Sequence, residues 1–123
     1  MKKIQTTKAP AAVGPYSQAI VSGGLVFTSG QIAINPATST VEASDIAGQT
    51  EQIMKNLSAI LESAGSSMDK AIKTTCFLAN MEDFAAFNEV YGKYFTSLPA
   101  RSCAAVKTLP KNVLAEVEVI AEL

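Results

Sequence analysis

The chain has 123 residues, of which 48% are hydrophobic and 17% charged; that length buries one core but not two, so a single domain over residues 1–123 is expected. Ten basic residues against eleven acidic ones leave a formal net charge of -1, the wrong balance for a nucleic-acid groove. Two cysteines and no histidine exclude a disulfide framework, a usual zinc site and the Ser/His and Cys/His pairings of hydrolases.

The opening MKKIQTTKAP has charges but no apolar run behind them, so no signal peptide is expected. No stretch approaches membrane-span length, and a cytoplasmic location follows as the expectation. IQTTKAPAAVGPYSQAI opens with a short strand and continues as a Pro/Gly-punctuated extended loop that carries Tyr16 and Ser17. In QAIVSGGLVFTSG two apolar runs flank a glycine pair, the pattern of a β-hairpin, and INPATST is a second turn cluster.

From Asp45 the apolar period becomes helical. Ile46, Ile53, Leu57, Ile60, Leu61 and Ala64 share one face, with Ser44 or Asp45 as cap and Gly65 at the C-terminal end. KAIKTTCFLAN is β-rich, with Ile72, Cys76 and Leu78 on one parity and Ala71 and Phe77 on the other, so both faces are candidates for burial. MEDFAAFNEVYGKYF predicts a second helix with a Phe84, Phe87, Tyr91, Phe95 stripe and Asn80 as cap; Gly92 inside it is expected to lie against a close neighbour. SCAAVKTL and VLAEVEVIAEL finish the chain as two strands joined around PKN, the last with Val113, Ala115, Val117, Val119 and Ala121 on one face. The order β-β-α-β-α-β-β predicts an α+β fold, a mixed sheet with both helices on one face. The other face is then either solvated or buried in an oligomer.

Arg101 is the only arginine among nine lysines, and Pro99 stiffens the chain just ahead of it. Its guanidinium is a rigid fork that reads a carboxylate or phosphate through two bonds; a structural ion pair is the alternative. Glu116 lies on the final strand. If residues 102–108 and 114–121 pair as a hairpin, it comes within partial reach of Arg101, although glutamates at 116, 118 and 122 also describe a solvated face. Cys103 is either a nucleophile or a small buried residue, and without histidine nearby only Arg101 and backbone dipoles can activate it.

These residues form a pattern. PARSCAAVKTLPKNVLAEVEVIA, with APAAVGPYSQAI, FTSGQIAINPAT and KTTCFLANMEDFAAFNEVY before it, resembles the Rid family of reactive intermediate deaminases along the entire chain. Older names for the family are endoribonuclease L-PSP and liver perchloric-acid-soluble protein. The resemblance implies a chorismate-mutase-like α+β fold, a homotrimer whose sheets form a central barrel, and sites in the clefts between subunits. It implies hydrolysis of enamines and imines such as 2-aminoacrylate to 2-keto acids and ammonia, with neither cofactor nor metal. Arg101 would hold the carboxylate of a small substrate, and Glu116 would activate water or shuttle a proton. Cys103 would supply its backbone N–H and a small wall. Tyr16, Ser29, Gly30 and Asn88 match pocket positions, Tyr16 at the cleft mouth. The link Thr96–Leu98 is short for this pattern, which leaves pocket size and preferred side chain open. Two other functions stay in view: cleavage of single-stranded RNA, and a non-catalytic trimeric regulator or chaperone-like binder. Neither membrane nor nucleic-acid partners are expected.

Overall fold

A computed structural model describes residues 1–123. The strands are β1 (Lys2–Ile4), β2 (Ala19–Ser22), β3 (Leu25–Thr28), β4 (Ile34–Asn35), β5 (Thr40–Val41), β6 (Ala71–Leu78), β7 (Ala100–Ala105) and β8 (Ala115–Glu122). The helices are α1 (Ile46–Ser63) and α2 (Phe84–Tyr94). Six strands make one sheet in the order β1-β2-β3-β8-β6-β7, and β4 and β5 form a separate ribbon. Only β6 and β7 run parallel, and α2 is the crossover that parallel neighbours require. Both helices pack on one face of the sheet, giving the expected α+β layers. Neither is long and apolar enough to cross a membrane.

Local chemistry fixes these elements. Gly23 and Gly24 have φ of 61° and 78°, the two positive values that let a two-residue turn follow the twist of β2 and β3. Asp45 accepts from Gly48 N at 2.9 Å at the start of α1. At its other end Gly65 N donates to Glu62 O and Ser66 N to Leu61 O, a Schellman closure. Ile53, Leu57, Ile60 and Leu61 of α1 are fully buried, as are Phe87 and Phe95 at the second helix. They meet Ala115, Val117, Val119 and Ala121 of β8, none more than 1% exposed.

Four details depart from the sequence reading. β7 and β8 are not a hairpin: β8 lies between β3 and β6, and β7 pairs with the far side of β6. The apolar alternation of β8 suits a central strand, whereas β7 is mostly exposed and suits an edge. The left-handed residues Lys111 and Asn112 turn the chain between them. A bulge between Ala71 and Lys73 shifts the parity of β6, so Ala71 is buried and Ile72 is 40% exposed. Gly92 has no atom within 4 Å of where a Cβ would sit, so no close neighbour explains it. Asn80 caps the short 3-10 turn Met81–Asp83 that leads into α2, accepting from Glu82 N.

The face away from the helices is not covered. Ile20, Phe27 and Ile120 lie side by side across β2, β3 and β8, with Phe27 40% exposed.

Candidate active site

Arg101 is the second residue of β7, and its register partner on β6 is Thr74. Thr74 is fully buried on the helix side of the sheet, which places Arg101 on that side too. There α2 meets it with Phe84, Asn88 and Tyr91, one stripe at i, i+4 and i+7. Arg101 Nη1 donates to Asn88 Oδ1 at 2.7 Å. The guanidinium carbon lies 4.8 Å from the Tyr91 ring centroid and 5.3 Å from that of Phe84, within cation–π range. The Tyr91 hydroxyl shares a 2.6 Å hydrogen bond with Thr74 Oγ1. Arg101 is thus held by two rings and an amide oxygen rather than by a carboxylate, and its remaining side-chain N–H groups have no hydrogen-bond partner within the chain.

Cys103 follows on the same face, half-buried, in register with the buried Cys76. Burial pushes the Cys103 thiol up, against a smaller downward pull from Arg101. Cys76 is pushed up to about 12, mainly by burial. Both are neutral thiols at neutral pH, a poor state for a nucleophile.

Glu116 is elsewhere. Its register partner on β6 is Phe77, three positions beyond Thr74, so its side chain leaves the opposite face of the sheet. Arg101 and Glu116 therefore do not converge within one chain: they lie on opposite faces, with β6 between their strands. The expected hairpin would have placed them together, and the central position of β8 separates them. Glu116 instead lies over Gly30, just past β3, where an isolated bridge between Gln31 and Val117 continues the pairing with β8. A Cβ on Gly30 would lie 2.8 Å from Glu116 Cδ, so the glycine makes room for the carboxylate. Burial, and secondarily repulsion from Glu118, raises the Glu116 pKa above the ordinary glutamate value.

Ser29 accompanies this second group. Its Oγ donates to Ser17 O at 2.6 Å and its N–H to Gln18 O at 2.9 Å. These bonds tie the loop carrying Tyr16, itself 54% exposed, to the end of β3. A cavity of about 630 Å³ lies under that N-terminal loop, among Ile4, Ala9, Pro10, Tyr16 and Gln18. It includes Tyr16 but none of Arg101, Asn88, Cys103 or Glu116. The seven residues singled out from sequence thus fall into two groups: Arg101, Asn88 and Cys103 on the helix side, and Glu116, Gly30, Ser29 and Tyr16 around the end of β3. Phe84, Tyr91 and Thr74 were missed as partners of Arg101. The available signal was a polar Asn88 inside an apolar helical stripe.

The family profile described as endoribonuclease L-PSP matches residues 6–123. A Lactococcus lactis protein provisionally named as the regulator AldR is 55% identical, covering 100% of this chain and 98% of its own. The 2-iminobutanoate/2-iminopropanoate deaminase of Escherichia coli is 46% identical, with 98% and 96% covered. Among solved structures, TdcF of Escherichia coli with bound serine superposes with a TM-score of 0.95 at 42% identity, over 100% of this chain and 99% of that one. RidA from an Antarctic Psychrobacter gives 0.95 at 40% identity, with both chains covered fully.

Proposed function

Because the chain belongs to the endoribonuclease L-PSP (Rid) family, we propose that it hydrolyses 2-imino and enamine acids such as 2-aminoacrylate to 2-keto acids and ammonia. The observation that carries this reading is Arg101: a guanidinium fixed by Asn88, Phe84 and Tyr91, with donors to spare and no carboxylate partner within the chain. A small carboxylate is the ligand that such a fork fits through two parallel bonds. Each hydrogen bond to a charged group is worth about 1.5–3 kcal/mol, enough for this contact to dominate binding of a small acid. The serine bound in the TdcF relative is a molecule of that class.

The reaction needs a proton moved at two points. An enamine first tautomerises to its imine, water then adds to the imine carbon, and the carbinolamine collapses with loss of ammonia. Glu116, ionised, takes a proton from the attacking water; protonated, it returns one to the departing nitrogen. Its raised pKa suits both halves of that exchange. The two residue groups are brought together between copies of the chain, Arg101, Asn88 and Cys103 from one and Glu116, Gly30, Ser29 and Tyr16 from the next. A homotrimer that buries the open sheet face with Ile20, Phe27 and Ile120 satisfies this arrangement.

The test is keto-acid release from freshly generated 2-aminoacrylate, with Arg101→Lys and Glu116→Ala beside the wild type. Acceleration by the wild type that is lost in both variants is the expected result. No acceleration over spontaneous hydrolysis would sink the reading, and binding of a keto acid without turnover would favour the regulator suggested by the name of the Lactococcus relative. Against RNA cleavage stands the charge: one arginine and a net charge of -1 do not build a phosphate groove.

A further inference from the structure

We propose that Tyr91 and Thr74 act together as positioning residues for Arg101, setting the plane in which its guanidinium meets a carboxylate. This rests on the carboxylate reading above and adds to it the device that makes the fork rigid. Bidentate recognition needs the guanidinium coplanar with the carboxylate, and an arginine side chain left to itself rotates freely about several bonds.

Three constraints on that rotation are visible. Asn88 Oδ1 accepts from Nη1 and fixes one corner of the fork. The Tyr91 ring lies under the guanidinium, with the ring centroid 4.8 Å from its central carbon, and opposes tilting. The ring itself is held by Thr74. A tyrosine only 8% exposed bonds through its hydroxyl to a threonine that is fully buried, and that threonine is the cross-strand partner of Arg101. β6 therefore fixes the tyrosine ring at the position where β7 presents the arginine, and α2 carries the ring between them. A hydroxyl pair serving packing alone could equally be two apolar side chains of similar shape. Here the pair anchors the ring whose centroid lies 4.8 Å from the one guanidinium of the chain.

Arg101 being the only arginine, protein labelled with 15N-arginine gives a single Nε–H resonance, which reports ring stacking by its ring-current shift without reference to catalysis. That resonance is expected upfield of free arginine in the wild type and displaced again on titration with 2-oxobutanoate. Tyr91→Leu, which keeps an apolar side chain but removes the ring, should return the resonance toward the free position. It should also raise KM roughly 3- to 30-fold, the range of ring–cation attraction, with kcat less affected. Tyr91→Phe keeps the ring and loses the hydroxyl, with an effect of about 2- to 5-fold. Thr74→Val should match Tyr91→Phe, and Thr74→Ser should restore the wild-type shift and KM. Should Tyr91→Leu not fold, the phenylalanine, valine and serine variants carry the test.

The outcomes separate. A wild-type resonance at the free-arginine position overturns the proposal. A resonance that ignores 2-oxobutanoate defeats the carboxylate reading and this inference with it. A wild type that responds, with Tyr91 and Thr74 variants that bind 2-oxobutanoate equally well, overturns this inference alone.

Discussion

The two halves of the candidate site are built in opposite ways. Around Arg101 the chain adds material: two rings, an amide and a buried hydroxyl pair close on one side chain. Around Glu116 it takes material away, because the carboxylate occupies the space that any side chain on residue 30 would need. The first group fixes a permanent charge whose geometry matters. The second keeps a titrating group partly out of water with its protonation adjustable, and a packed cage of donors would lower the pKa that burial raises. On the proposed reading, binding and proton transfer make different demands, and they fall to opposite faces of one sheet.

The largest effect is expected where the fork is lost. Arg101→Lys keeps the charge but not the paired donors or the flat stack, and should lower kcat/KM by about 100- to 1,000-fold, the equivalent of one to two charged hydrogen bonds. Circular dichroism should show the fold unchanged. The same variant tests whether the halves come from different copies. Arg101→Lys and Glu116→Ala, unfolded together and refolded as a mixture, should regain up to about a quarter of the wild-type rate, since one interface in four then pairs an intact arginine with an intact glutamate. No recovery would place both residues of each site in a single chain, against the register of β6, β7 and β8.

Gly30→Ala attacks the other half. The added methyl meets the end of a flexible side chain rather than backbone, so the carboxylate can move aside. Stability should fall by only about 1 kcal/mol, read as a small change in urea midpoint, while activity falls about 10- to 100-fold because the proton-transfer group is misplaced. An equal loss of both would make the glycine a packing residue and weaken the contrast between the halves.

A smaller effect belongs to pH. The folded-state pKa of Glu116 lies above the ordinary value, chiefly through burial, so its base form appears at a higher pH than for a free glutamate. The acidic limb of kcat/KM should sit correspondingly high and disappear in Glu116→Gln, whatever activity remains. Linkage gives the same group a stability signature. The folded chain holds this proton where the unfolded chain has released it, so the contribution is complete below the unfolded pKa and declines as pH rises through the folded one. Urea midpoints measured across that window should flatten in Glu116→Gln.

Much of this was legible in the sequence, for identifiable reasons. The helical period of Ile53, Leu57, Ile60 and Leu61, the glycine pair at 23 and 24, and the alternation of Ala115 to Ala121 each encode a local structure, and each forms, although Val113, with the same parity, lies ahead of the strand. Arg101 was conspicuous because nothing else in the chain carries a guanidinium. The strand order was not legible. An apolar alternating strand after a short turn looks like a hairpin partner, and nothing local states that β8 crosses to the middle of the sheet; that follows only from competition among strands for burial. The face on which Glu116 emerges depends on that order, and the partners of Arg101 depend on β6 lying next to β7. The bulge after Ala71 was hidden for a similar reason, since one inserted residue reverses a parity without altering composition.

Cys103 gives the smallest expected effect and the sharpest limit on the Arg101 half. It shares a face with the arginine, and a thiol beside a permanent cation invites the reading of an activated nucleophile. Burial outweighs that cation, and the thiol pKa ends above its ordinary 9.0. The thiol is thereby kept protonated at neutral pH, so iodoacetamide should label this position far more slowly than an exposed free cysteine. Cys103→Ala should leave kcat/KM within about threefold, at a cost of about 1 kcal/mol in stability for the lost half-buried sulfur. A drop of 1,000-fold in Cys103→Ala with Arg101 stacking intact would mean that the thiolate forms when substrate binds. The cation in this half would then serve sulfur chemistry, and Glu116 would no longer be needed as its base.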